Sequence, residues 1–234
     1  ANCCTGPRGM ADAEAVTARV AEALGIAAEQ VLAASTGVIG SPMPVATITA
    51  AVPALVAALA PGDVGPLAES IMTTDTVPKA VRRQATVGGR TVTLVGVAKG
   101  AGMIEPNLAT MLVFLLTDAL IPKAGLRDRL HRCVEDSFNT ITIDGDQSTS
   151  DTALLVSSGL IEDVEEQTFW EAVGGVCSGL AADLVRNGEG TTHLMRVTVS
   201  GRLPDNQCRN AAKAVANSPL VKTAVFGNDP NVGR

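Results

Sequence analysis

The chain has 234 residues, 46% of them hydrophobic, a formal net charge of −6 and aromatic residues at only 2%. An acidic chain so poor in aromatics has neither the basic footprint that neutralises phosphates nor the rings on which bases stack, so no nucleic-acid partner is expected. No apolar run approaches 18 residues, so no membrane span is expected either, and the substrates should be small molecules.

A chain of this length can bury a substantial core within one domain. Residues 1–10 carry Pro7 and Gly9 without an apolar stretch, unlike a secretory signal, so a cytoplasmic setting is expected. The five cysteines, Cys3, Cys4, Cys133, Cys177 and Cys208, form no Cys-x-x-Cys pair, and their odd number fits a reduced compartment. His131 and His193 are too few and too scattered for zinc, so neither metal nor cofactor is expected.

In chain order, Ala13, Val16, Val20 and Leu24 recur at helical spacing, and Gly25 is placed to stop that helix. Residues 31–40 read as a short strand entering a turn at Thr36-Gly37. Glycine there suits turn chemistry, and a hydroxyl beside a glycine N–H at a strand end also suits an oxyanion hole. Ile48, Val52, Leu55 and Leu59 predict a helix over 46–60, delayed or bent by Pro53. Thr73, Thr74 and Thr76 then cluster about Asp75, a pattern that fits a side-chain-bonded turn.

Residues 80–98 predict a hairpin turning at Gly88-Gly89, whose second strand delivers Lys99 to the glycine loop Gly100-Ala-Gly102. The order Gly-x-x-x-x-Gly-Lys-[Ser/Thr] is absent, so this is not a nucleotide loop. The loop feeds the apolar run 111–116, which suits a strand covered on both faces, with Thr110 at its mouth. Leu126, Leu130 and Val134 mark one face of a helix after Pro122. The Asp-rich stretch 144–151 lacks the calcium-loop register and is read as structure around a site. A helix starting near Asp163 and Glu166 continues through Phe169, Val173, Val176, Leu180 and Leu184. Glu189 lies between two glycines, and a strand over 194–200, a helix over 205–217 and a strand over 220–226 complete the pattern. Alternating strands and helices with hairpins predict an α+β or α/β layered fold.

Lys-Gly-Ala-Gly-Met-Ile-x-Pro-x-Leu-Ala-Thr-Met-Leu at 99–112 resembles the self-cleavage segment of the glutamate N-acetyltransferase / ornithine acetyltransferase family of arginine biosynthesis. Ser-Thr-Gly-Val-Ile-Gly at 35–40 and Met-Thr-Thr-Asp-Thr at 72–76 resemble further segments of that family. So do the Phe-Asn-x-Ile-Thr stretch from 138, Gly-Glu-Gly at 188–190 and Phe-Gly-x-Asp-Pro-Asn at 226–231, with Val232 where the family has Trp. The likeness runs through essentially the whole chain.

The resemblance implies a helix-sheet-sheet-helix sandwich of the self-processing N-terminal-nucleophile kind, treated as a single domain over 1–234. It implies self-cleavage between Ala109 and Thr110 into an α piece (1–109) and a β piece (110–234), paired as an α2β2 heterotetramer. Thr110 would be the nucleophile, its freed α-amine serving as base because an amine with a pKa of about 8 suits that task. Thr36 and Gly37 would form the oxyanion hole. Thr73, with Thr74 and Thr76 as near misses, would join Lys99, Thr110 and Glu189 in binding substrate, Lys99 meeting a carboxylate and Glu189 an amino group. The implied reaction carries acetyl from N2-acetylornithine to glutamate by a ping-pong route, with acetyl-CoA a donor in some members. The chain would be an interior portion, shortened at both ends and lacking an Asn and a Ser or Thr supplied by the family's C-terminal part. An N-terminal-nucleophile aminopeptidase and an inactive fragment are the alternatives.

Overall fold

In a computed structural model of the chain, which describes residues 1–105, 111–231 and 233, Gly88 and Gly89 both adopt left-handed backbone, φ 59° and 78°. Two successive positive φ angles match the twist of an antiparallel pair, and glycine reaches them without a Cβ clash. The turn joins β1 (Lys79–Val87) to β2 (Arg90–Lys99), with Val87 opposite Arg90 and Lys79 opposite Ala98. β3 (Leu112–Ala119) runs antiparallel to β2, and β4 (Thr152–Ile161) runs parallel to β3, giving the sheet order β1-β2-β3-β4.

Parallel pairing of β3 and β4 demands a crossover, which carries α4 (Leu126–Glu135). A longer helix, α5 (Glu166–Arg186), lies across β1 and β2. The Glu165 carboxylate caps α5 by accepting the Gln167 and Thr168 amides at 2.8 Å each. Phe169, Trp170, Val173, Val176, Cys177, Leu180 and Leu184 are buried on α5, at the predicted spacing. They join Val92, Leu94, Val113, Leu115 and Phe138 in the core. Short α3 (Gly65–Ser70) precedes the sheet, and α6 (Asp205–Ala216) and α7 (Pro219–Phe226) follow α5. These elements belong to a unit spanning Gly65–Arg234.

The other unit, Ala1–Val64, packs α1 (Gly6–Leu24) against α2 (Val45–Ala57). Gly25 ends α1 in the left-handed region at φ 68°, as its position in the sequence predicts. Pro53 is accommodated inside α2.

The mixed α+β class is present, with one four-stranded sheet among the described residues. Three predicted strands take other forms. Residues 31–40 meet residues 1–3 through isolated bonds, Gly40 N–H to the Cys3 carbonyl at 2.9 Å and Asn2 N–H to Ser35 Oγ at 3.1 Å, which do not amount to a ladder. Residues 194–200 keep an alternating exposure without regular secondary structure. Residues 220–226 are helical because Ser218 caps the Val221 amide at 3.4 Å and Pro219 opens the first turn.

Gly96 allows α5 to approach β2. A Cβ built there would stand 2.6 Å from Val176 Cγ1 and 2.7 Å from Leu180 Cδ1. Gly96→Ala is expected to cost about 1–3 kcal/mol through overpacking. The denaturation midpoint should fall at unchanged m-value, and an unchanged midpoint would contradict this packing.

Candidate active site

The sheet gathers the chemistry at one end. Because β1 and β2 are antiparallel, β2 and β3 antiparallel, and β3 and β4 parallel, the start of β1, the end of β2 and the starts of β3 and β4 coincide. Lys79, Lys99, Met111 and Asp151 occupy those four positions or adjoin them.

Lys99 is 1% exposed, and its ammonium donates to Thr73 Oγ1 at 2.9 Å. Asp75 ties this arrangement together. Its Oδ1 accepts from Lys79 Nζ at 2.6 Å and from the Gly100 amide at 2.8 Å, while Oδ2 accepts the Thr73 amide at 3.2 Å. Burial pushes the Asp75 pKa upward, but the bonds from Lys79, Gly100 and Thr73 outweigh it and hold the carboxyl below its usual range. Lys99 moves down from the usual lysine value, chiefly through burial and also through the Lys79 charge, against the opposing pull of Asp75 and Asp151.

Glu189 reaches the same loop from beyond α5. Its amide donates to the Ala101 carbonyl at 2.7 Å, and its carboxylate lies where a Cβ on Gly102 would fall, 2.9 Å from both Oε atoms. Gly102 thus leaves room for an exposed carboxylate beside the loop that begins at buried Lys99. Four residues on, His193 borders an open cleft of about 510 Å³ with Val221, Asn228 and Asp229, apart from Thr73, Lys99 and Glu189.

The Asp-rich stretch clamps the glycine loop. Asp144 accepts the Met103 and Ile104 amides at 2.6 and 2.9 Å, and the Glu105 amide donates to the Asp146 carbonyl at 2.9 Å. Asp151 accepts the Met111 amide at 2.5 Å. Burial pushes Asp151 up to about 7 despite that bond and the Lys99 charge. Among the described residues, no group of three or more His, Cys, Asp and Glu side chains is arranged to hold a metal ion.

Of the sequence-predicted site residues, Thr73 and Lys99 touch, and Glu189 is fastened to the same loop. Thr36 and Gly37 belong to the Ala1–Val64 unit, where Gly37 takes φ 139°, a conformation that favours glycine. Ala109 and Thr110 lie outside the described residues. Sequence reasoning missed Asp75 and Lys79 as the frame of Lys99, and Asp151 as the partner of Met111. The Lys79 spacing, four residues past Asp75, was the one local signal.

The model of the ArgJ family matches residues 1–234. The chain is 46% identical to the arginine biosynthesis bifunctional protein ArgJ of Symbiobacterium thermophilum, covering 100% of this chain and 60% of that protein. It is 47% identical to the ArgJ protein of Geobacter sulfurreducens (100% and 61%) and 48% identical to that of Thermus thermophilus (100% and 60%). It thus spans about three fifths of the length of these curated relatives. The crystal structure of the ArgJ protein from Bacillus halodurans is similar with a TM-score of 0.50 at 39% identity, over 53% of this chain and 62% of that one.

Asp151 predicts a pH-dependent stability. Between the ordinary value of 3.8 and about 7 the folded state holds a proton that the unfolded state releases, so this group's contribution falls as pH rises through that window. The stability of Asp151→Asn relative to the parent should therefore climb from pH 4 to pH 7 and then level. The expected rise is on the order of 2 kcal/mol once solvent screening is allowed for. A flat difference in urea midpoints across that range would contradict the assignment.

Proposed function

The chain belongs to the ArgJ family, and on that premise we propose that it carries an acetyl group from N2-acetylornithine to glutamate in arginine biosynthesis, through Thr110 as nucleophile. The reading is supported most directly by the pairing of buried Lys99 with Thr73 while the Glu189 loop is fastened to Ala101. A cation at the head of the glycine loop and a carboxylate fastened beside that loop suit a zwitterionic amino acid, the ammonium of Lys99 favouring its carboxylate and Glu189 its amino group.

In this reading the bond between Ala109 and Thr110 breaks first, giving an α piece (1–109) and a β piece (110–234) of one acetyltransferase domain. The Thr110 α-amine then takes the hydroxyl proton as Oγ attacks the acetyl carbonyl. Thr36 and Gly37 donate to the oxyanion. Ornithine departs with the proton, glutamate enters, and its amine takes the acetyl group from Thr110. Acetyl-CoA is a second donor able to load the same hydroxyl, no resident cofactor is required, and the processed pieces assemble as α2β2 in the cytoplasm. No helix among the described residues is long and apolar enough to cross a membrane.

Lys99→Met keeps the stem and removes the charge. It should lower kcat/KM for N2-acetylornithine about 10- to 100-fold, the worth of one charge-assisted hydrogen bond, mainly through KM. Thr110→Ala should abolish both cleavage and transfer, as read by intact mass and by N-acetylglutamate formation. Transfer retained in Thr110→Ala would overturn the assignment.

A further inference from the structure

Cys3 and Cys4 are neighbours in the sequence, and neither is in a disulfide. In extended backbone successive side chains point to opposite sides, so adjacent cysteines ordinarily diverge. Cys4 instead takes φ 56°, the left-handed region that residues with a Cβ seldom enter. The two sulfurs consequently approach each other, Cys3 Sγ donating to Cys4 Sγ at 3.8 Å.

This turn is held from several directions within the Ala1–Val64 unit. The Asn2 amide donates to Ser35 Oγ at 3.1 Å, and the Gly40 amide donates to the Cys3 carbonyl at 2.9 Å. The Asn2 side chain donates to the Gly9 carbonyl at 2.8 Å and accepts from Thr5 Oγ1 at 2.9 Å. Gly9 makes room for that pair, because a Cβ there would stand 2.0 Å from Thr5 Oγ1. Backbone on both sides of the cysteines is thus fastened to α1 and to residues 35–40, which preorganises the two thiols.

Their spacing suits a shared ion. A disulfide needs its sulfurs at about 2.05 Å, far closer than they stand. Two thiolates on one tetrahedral ion, each about 2.3 Å from it, lie about 3.8 Å apart. Cys4 is exposed and Cys3 half-buried, so an ion can reach them from solvent. Cys4 also borders a cleft of about 270 Å³ that Met10 lines, and no carboxylate or imidazole lines it. Two thiols and a thioether are a soft donor set, which selects Cu(I) over the hard cations that oxygen ligands hold. Zinc is poorly served, since its structural sites take four ligands from thiolates, imidazoles and carboxylates.

We propose that Cys3 and Cys4 bind Cu(I) as a paired dithiolate, with the Met10 thioether as third donor. Binding exchanges two S–H bonds for two copper–sulfur bonds and releases both protons to water. Copper stays as Cu(I) throughout, so no oxidant or reductant takes part.

The test titrates the full chain, kept anaerobic, with Cu(I) alone against a chromophoric Cu(I) chelator. The parent should withdraw one equivalent. Cys4→Ser changes an exposed position, so it should keep the parent's thermal melt. It should bind more than about 100-fold more weakly, since even groups outside a metal's ligand shell are worth about 10- to 100-fold. Cys3→Ala should lose affinity to the same extent, and Met10→Leu, which removes an uncharged donor, about 10-fold. Cys208→Ser should match the parent. No withdrawal by the parent, parent-like affinity in Cys3→Ala or Cys4→Ser, or an equal loss in Cys208→Ser would overturn the site. Unchanged affinity in Met10→Leu would overturn the third donor, and displacement of Cu(I) by equimolar Zn(II) would overturn the choice of metal.

Discussion

Three donors converge on the carboxylate of Asp75, and the geometry of the site depends on them. The Lys79 ammonium and the Gly100 amide share Oδ1, and the Thr73 amide takes Oδ2. The Lys79 and Asp75 side chains are each only 1% exposed, so the pair forfeits hydration on both sides. Desolvation on that scale makes a buried ion pair a poor source of net stability, while loss of one partner leaves a bare buried charge at a cost of about 3–5 kcal/mol. What the arrangement supplies is position. One carboxylate sets the distance between the threonine loop, the first residue of β1 and the glycine loop after β2.

Strand direction does the rest. A hairpin brings the start of β1 beside the end of β2, and the parallel pairing of β3 with β4 sets residues 111 and 152 next to each other. Polar side chains at those termini face one another without long loops, and the apolar interiors of the strands pack under α5. The missing Cβ of Gly96 admits the helix, and that of Gly102 admits the Glu189 carboxylate. Each glycine thus answers to a close approach rather than to backbone freedom.

What the sequence discloses follows from how local each signal is. Gly88-Gly89 announced its hairpin because a two-residue turn carries its own geometry, and α5 was legible from Phe169 to Leu184 because one helical face was apolar throughout. Residues 220–226 read as a strand on apolar content, although Ser218 and Pro219 already held a helix start. Residues 31–40 and 194–200 carry β-prone patterns whose realisation depends on partner strands that no local window contains. Among the site residues, the pairing of Thr73 with Lys99 spans 26 positions and that of Asp151 with Met111 spans 40. Family resemblance singled out the first pair's members. Asp151 escaped because its partner is a backbone amide, which leaves no mark on residue type.

The chemistry proposed for this framework is a relay, in which one hydroxyl would hold the acetyl group between two amines and Lys99 and Glu189 would receive each amino acid in turn. Isotope exchange without acceptor tests that relay most directly. The processed chain would be incubated with N2-acetylornithine and labelled free ornithine, glutamate being withheld. A covalent acetyl-threonine intermediate predicts that label enters N2-acetylornithine at a rate comparable to net transfer, because the loaded hydroxyl can return its acetyl group to ornithine. Net transfer to glutamate in a parallel reaction, with no label exchanged in its absence, would contradict the relay and require both substrates to meet before any bond is broken.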